Sequence, residues 1–285
     1  MPMLRAKELG QIIAKAQVTH ALCDAALADE LAQAAAAHPV LREVLHFGLA
    51  AECGLEARAA RQSEDFRTLD TAADDVALLA FTSGTTGQPK ATMHFHRDVM
   101  AACMCFPRHM LRPHADDVFI GSPPLAFTFG LGGLLLFPLH VGAATVLLPK
   151  AGPHELLQAI PRFGATVLFT APTSYRAMAE PARAARLSTG QGGTLRQCVS
   201  AGEALPAATR ALWQDATGTV LIDGIGATEL LHIFIAADEA HAKPGATGRP
   251  VPGYVACVVD DQLRPVPPGT VGRLAVKGPT GCRYL

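Results

Sequence analysis

Residues 81–90 read FTSGTTGQPK, and no other stretch of the chain concentrates so many groups able to hold an anion. Three hydroxyl donors (Ser83, Thr85, Thr86) follow Thr82, and they are interleaved with Gly84 and Gly87 and closed by Lys90. Glycines permit positive φ and a close approach of backbone to ligand. Successive amide N–H groups then form a concavity suited to an anion, to which Lys90 adds a point charge. The apolar run 76–81 before it reads as a buried strand, so the chemistry is that of a polyphosphate loop at a strand end. It is not a Walker A loop, which needs GxxxxGK[ST]: here the second glycine stands three residues before Lys90, with Pro89 between and Ala91 after. A solvated strand–loop–helix turn is the competing reading, and the crowding of donors argues against it.

Two further strand ends carry unusual loops. Residues 200–205, SAGEAL, are small enough to let a flat ring lie against backbone. Residues 223–234, DGIGATELLHIF, offer Gly224 and Gly226 for close approach, then a hydroxyl and a carboxylate at Thr228 and Glu229. A carboxylate beside a polyphosphate is suited to Mg²⁺; a pair capping a helix start is the alternative. A fourth loop, PLAFTFGLG at 124–132, presents Phe127, Thr128, Phe129 and Gly130, either walling a pocket for a flat apolar group or packing in the core. His232, among Leu231, Ile233 and Phe234, is open to the same two readings.

Across 285 residues, apolar types make up 49% and charged types only 17%, below the usual quarter. So few charges suit a chain that buries surface against a complementary chain or a second copy. The net charge of −1 supplies no field for nucleic acid or an anionic membrane. Seven cysteines, odd in number and without CxxC spacing, indicate reduced thiols and a cytoplasmic setting. The N-terminus lacks the apolar core of a signal peptide. Residues 131–149 carry no charge, but Pro138, His140 and three glycines interrupt them, so they read as a buried helix and a strand rather than a membrane span.

The elements that must position these loops alternate. Helices are expected at 5–17, 24–37 (capped by Asp24), 94–110, 130–140, 153–163 (ended by Gly164), 172–180 and 206–217. Strands are expected at 18–22, 40–47, 76–81, 117–121, 143–148, 165–170, 195–199 and 219–222. Residues 50–73 read as a connection of little function and 181–194 as a polar loop. Such alternation means βαβ units and a mostly parallel sheet. From about residue 240 glycine and proline become dense and short β runs (254–259, 271–277) follow, as in the start of a small antiparallel barrel. The division expected is an α/β core over 1–240 and an incomplete barrel over 241–285.

TSGTTGxPK resembles the signature loop of the adenylate-forming enzymes: acyl-CoA synthetases, luciferases and peptide-synthetase adenylation domains. SAGEAL, DGIGATELLHIF, GRPVPGY at 248–254 and VGRLAVKGP at 271–279 follow in the same chain order and resemble the aryl-CoA ligases. PLAFTFGLGGLLLFP is similar to the 2-aminobenzoate- and benzoate-CoA ligases. The resemblance implies ATP, Mg²⁺ and coenzyme A, with a small aromatic carboxylate converted to an aryl-adenylate and then to a thioester. It implies β,γ-phosphate contacts from Thr82, Ser83, Gly84, Thr85, Thr86, Gly87 and Lys90. Ser200, Ala201, Gly202, Glu203, Ala204, Asp223, Gly224, Ile225 and Gly226 are implied on the adenine side. Thr228 is implied at the α-phosphate and Glu229 on Mg²⁺, so that Lys90, Thr228 and Glu229 form the catalytic set. Phe127, Thr128, Phe129, Gly130, Gly224 and His232 are implied around the aryl acid. Family members also have a preceding segment, a ribose-gripping aspartate, a hinge and a small domain bearing a lysine. Their absence here leads to the expectation of a truncated form with weak or no full activity, a non-catalytic ATP-binding fragment, or half of a split enzyme.

Overall fold

The computed structural model describes residues 3–48, 54–82, 90–237, 241–243 and 245–285. The polyphosphate loop expected at 83–87 lies outside the described residues. The chain forms two compact units: Met1–Met93 with Arg283–Leu285, and His94–Cys282.

In the smaller unit, helices α1 (Ala6–Ala16) and α2 (Ala28–Ala37) pack on a parallel pair, β1 (His20–Asp24) and β2 (Glu43–Phe47). Their core is Ile13, Leu31, Ala34 and Leu41. Asp24 caps not α2 itself but the 3₁₀ turn Ala25–Leu27 that leads into it, its carboxylate accepting from the Ala26 amide at 2.9 Å. The connection 50–73 is not wholly irregular: it holds a short helix, α3 (Leu55–Ala59). Strand β3 (Val76–Thr82) then pairs with β4 (Lys90–Phe95), and Arg283–Tyr284 pairs antiparallel on the far edge of β4.

The larger unit is a seven-stranded sheet. Its strands are β5 (Val118–Gly121), β6 (Ala144–Val146), β7 (Val167–Thr170), β8 (Gln197–Ser200), β9 (Leu221–Gly226), β10 (Ile233–Ala237) and β11 (Arg249–Pro250). The order is β11-β10-β9-β8-β7-β5-β6, parallel from β6 to β9 and antiparallel at β10 and β11. Helices alternate with the strands: α4 (His96–Met104), α5 (Thr128–Leu131), α6 (Phe137–Val141), α7 (Pro153–Phe163), α8 (Pro172–Ala185) and α9 (Ala207–Thr217). The sheet is buried on both faces, as parallel sheets require, and side chains divide with the period of two. Ile120, Leu168, Cys198 and Leu221 join Leu156, Tyr175, Met178 and Trp213 beneath α7, α8 and α9. Phe119, Phe169, Val199 and Ile222 join Phe106, Leu134, Phe137 and Phe234 on the other face. An antiparallel ribbon, β12 (Val255–Val259) with β13 (Arg273–Lys277), stands where the start of a small β sheet is expected.

Several expectations are corrected. The helix expected at 94–110 begins at His96, because residues 90–95 are spent on β4, so strand rather than helix follows the phosphate loop. Helix α8 does not stop at residue 180 but continues to Ala185 through Pro181. Asp223 to Gly226 are not a loop beyond a strand: β10 pairs with them and keeps them extended. The apolar 131–149 segment is the expected helix and strand, with a π-helical turn at Gly132–Leu136, and among the described residues no helix is long and apolar enough to cross a membrane.

Candidate functional site

In the larger unit a cavity of about 540 Å³ opens beyond the carboxyl ends of β5, β7, β8 and β9, the position at which open α/β sheets bind ligands. Each wall follows a strand end. Ser122 and the prolines 123 and 124 follow β5, Ala171 follows β7, and Ala201 and Gly202 follow β8. Gly226, Ala227 and Thr228 close β9, while Phe127, Thr128, Phe129, His232 and Ile233 complete the lining. Three of the four loops singled out from sequence therefore meet in one cavity. Gly130, next in the chain after Phe129, is buried and does not line the cavity; a Cβ there would stand 2.2 Å from the Pro124 carbonyl oxygen, so only glycine lets the aromatic loop fold back so tightly.

His232 is both core and cavity wall. It is 4% exposed and caged by Phe137 (ring centroids 4.5 Å apart, edge-on), Phe106 (5.5 Å) and Phe129 (5.8 Å). Burial drives its pKa down to about 3, and the Phe129 backbone offsets little of this, so the imidazole is neutral. Neither ring nitrogen completes a hydrogen bond among the described residues. Gly132 permits the cage: a Cβ there would stand 2.3 Å from His232 Cδ2.

Within the larger unit, the residues expected around the nucleotide do not all line one cavity. Ala201, Gly202, Gly226 and Thr228 line the cavity just described. Ala204 and Asp223 line a separate one of about 490 Å³, with Arg210 and Lys243. Asp223 is buried in β9 with its pKa raised by that burial, against the opposing pull of the Arg210 guanidinium 3.8 Å away. Gly224 is also buried, and its missing Cβ makes room for Ile233, 2.7 Å from where a Cβ would be. Ile225 and Glu203 are exposed and line neither cavity. Ser200 is wholly buried, its hydroxyl without a partner among the described residues; it sits in register between Thr170 and Asp223, a polar row across three strands. Thr82, half-buried at the end of β3, and Lys90, exposed with its Nζ 5.7 Å from the Tyr284 ring centroid, belong to the smaller unit.

Thr228 and Glu229 lie in a 3₁₀ turn, Thr228–Leu230, rather than capping an α-helix. Among the described residues no three His, Cys, Asp or Glu side chains gather as a metal cage. Half-buried Glu229 beside a hydroxyl instead suits Mg²⁺, which takes one or two carboxylates and completes its shell with phosphates and water. Sequence reasoning missed the groups that hold this turn. His94 Nε2 donates to the Thr228 carbonyl at 2.7 Å, the Cys282 amide to the Glu229 carbonyl at 3.0 Å, and the Thr280 hydroxyl to the Leu230 carbonyl at 2.8 Å. No local pattern could have signalled these three, whereas Ser122 and Ala171 were findable as the residues directly after strands.

A mostly parallel α/β sheet with a cavity at its carboxyl ends is the fold of the N-terminal domains of adenylate-forming enzymes. The profile of the AMP-binding enzyme family matches residues 1–283, and the chain belongs to that family. Benzoate–CoA ligase of Thauera aromatica is 35% identical over 246 residues, which are 85% of this chain and 46% of that protein. Anthranilate–CoA ligase of Pseudomonas aeruginosa is 35% identical over 216 residues, 75% of this chain and 40% of that protein. Among solved structures, the anthranilate CoA ligase AuaEII in complex with anthranoyl-AMP superposes with a TM-score of 0.87 at 31% identity, covering 99% of this chain and 55% of that one. A benzoate CoA ligase from Burkholderia xenovorans LB400 gives 0.88 at 28% identity, covering 98% and 55%. The chain spans about half the length of these relatives.

Proposed function

We propose that the chain is the acid- and nucleotide-binding part of an AMP-forming aryl-CoA ligase acting on benzoate or 2-aminobenzoate. The observation that carries this reading is the cavity in which an aromatic loop, a neutral buried imidazole and three small-residue strand ends meet. Its volume lies within the roughly 300–1,000 Å³ typical of small-ligand sites. Phe129 and the backbone of Ala201 and Gly202 would sandwich a flat ring. His232, neutral, would donate one hydrogen bond to the acid while its aromatic cage keeps water away. Thr228 would present its hydroxyl to the α-phosphate, and residues 82–87 with Lys90 would bind the β- and γ-phosphates. In the first half-reaction a carboxylate oxygen attacks the α-phosphorus and the bond to pyrophosphate breaks, giving aryl-adenylate. In the second, coenzyme A thiolate attacks the acyl carbon and AMP leaves. The residues act mainly by orienting reactants and placing donors where charge develops. Mg²⁺, held by Glu229, would neutralise phosphate charge.

Calorimetric titration of this chain tests the reading. Mg·ATP and 2-aminobenzoate should each bind, with benzoate in the same range and a straight-chain fatty acid excluded. Lys90→Ala and Glu229→Ala should each weaken Mg·ATP by about tenfold or more, the worth of a charge-assisted contact. Equal Mg·ATP affinity in wild type and both variants would remove the nucleotide site. Where turnover is detected, AMP rather than ADP must be the product.

A further inference from the structure

The Thr228–Leu230 turn is held more firmly than its length requires. Leu231, directly after it, stands at φ +68° and ψ −31°, a conformation that a branched L side chain rarely adopts and that persists only where the surroundings over-determine it. The surroundings do so here. The Thr228 carbonyl receives the Leu231 amide at 3.2 Å and His94 Nε2 at 2.7 Å. The next two carbonyls receive the Cys282 amide and the Thr280 hydroxyl. Because Thr280 gives its proton to Leu230, the Tyr254 hydroxyl 2.7 Å away must donate to Thr280. Three consecutive carbonyls are thus tied to residues between 50 and 134 positions away in the chain.

We propose that His94 is a positioning residue: its ring fixes the Thr228 carbonyl, and through that turn it sets where the Thr228 hydroxyl and the Glu229 carboxylate stand for a bound nucleotide. The proposal rests on the reading that this turn meets ATP. Its chemistry is specific. A carbonyl can only accept, so Nε2 carries the proton. The other nitrogen, Nδ1, lies 3.8 Å from the carboxylate of Asp98, in the first turn of α4, without completing a hydrogen bond among the described residues. Ring and carboxylate are 0% and 2% exposed, so water does not compete for either. Asp98 is held in turn by the Phe95 amide at 2.9 Å. A histidine serving only to fill space has no need of a donor aimed at a single carbonyl 134 residues along the chain.

The test uses the full chain with His94→Leu and with His94→Gln, whose amide nitrogen can still donate. Amide hydrogen exchange is read at Leu230 and Leu231 against Cys198 and Val199 in the sheet, and Mg·ATP affinity is read by calorimetry. His94→Leu should speed exchange at the turn about tenfold or more while the sheet amides hold, and should weaken Mg·ATP about tenfold, one hydrogen bond's worth. His94→Gln should recover most of both. Combined with Glu229→Gln, His94→Leu should weaken binding by less than the two single effects multiplied, because the Glu229 carboxylate is one of the two groups that the turn positions. Unchanged exchange at the turn, multiplicative effects, or faster exchange with wild-type affinity would each overturn the proposal. If Glu229→Gln alone leaves affinity unchanged, the nucleotide reading of the turn has failed and the positioning role falls with it, whatever the exchange rates. Should His94→Leu not fold, His94→Met set against His94→Gln reads the same contrast.

Discussion

Replacing His232 by leucine should make the protein more stable and the site worse. Both ring nitrogens are buried without a partner among the described residues, and an orphaned buried polar group costs about 1–3 kcal/mol. Taking the lower figure for each, leucine recovers about 2 kcal/mol and forfeits about 1 kcal/mol of edge-on contact with Phe137. The net gain, about 1 kcal/mol at pH 7.5, corresponds to a rise of about 2–4 °C in Tm. The sign of the pH dependence follows from the histidine's pKa, about 3 in the folded chain against an ordinary value of 6.5. Below pH 6.5 the unfolded chain takes up a proton that the folded chain refuses until about pH 3. Stability therefore rises with pH through that window and is flat above it. At pH 5 the histidine costs the wild type about 2 kcal/mol more than at pH 7.5, so the advantage of His232→Leu grows to about 3 kcal/mol. Binding should move the other way. A hydrogen bond to a charged partner is worth about 1.5–3 kcal/mol, so 2-aminobenzoate affinity should fall by about 10- to 100-fold. Urea unfolding at the two pH values and calorimetry with the acid suffice. A variant less stable than wild type at pH 7.5 would mean the nitrogens are already satisfied, and a difference that does not widen at pH 5 would mean that burial does not hold the ring neutral.

Two further outcomes follow from the larger unit. Asp117 is a fully buried carboxylate; burial pulls its pKa up, but hydrogen bonds from Arg196, Thr166 and the His114 amide outweigh this and hold it below the ordinary value. Arg196→Met should cost about 3–5 kcal/mol in urea unfolding by stranding that charge. The wild type's margin over the variant should be present above the ordinary carboxylate range and shrink as pH falls through Asp117's lowered pKa. Gly132→Ala drives a methyl into the His232 ring; overpacking of this kind costs about 1–3 kcal/mol, and it should weaken the aromatic acid in calorimetry while leaving Mg·ATP affinity near wild type.

The parts of the fold that were legible in the sequence are those fixed by neighbours along the chain. Helix α7 runs from Pro153 to Phe163 as expected because proline starts it and Gly164, at φ +63°, ends it. The parallel strands were legible because burial on both faces leaves nearly unbroken apolar runs. Strand β4 was not: residues 90–95, KATMHF, mix polar and apolar types, and one of its partners is the pair Arg283–Tyr284, about 190 residues away. Asp223 to Gly226 read as a loop in sequence for the same reason, since their extended form depends on β10 folding back along them. The candidate site divides along this line. Ala201 and Gly202 could be found because they follow a strand end, and a cavity at those ends is a property of the sheet itself; Thr128 and Phe129 stood out because two aromatic residues and a glycine share one short loop. The hold on Thr228–Leu230 could not, since a histidine inside β4, a threonine and a main-chain amide leave no spacing that relates them. What makes the turn rigid is long-range, and its members become visible only when the sheet has brought three distant stretches to the same few carbonyls. A strained Leu231 survives there because no single bond holds the turn. It follows that loosening it by one contact should alter the site before it alters the fold.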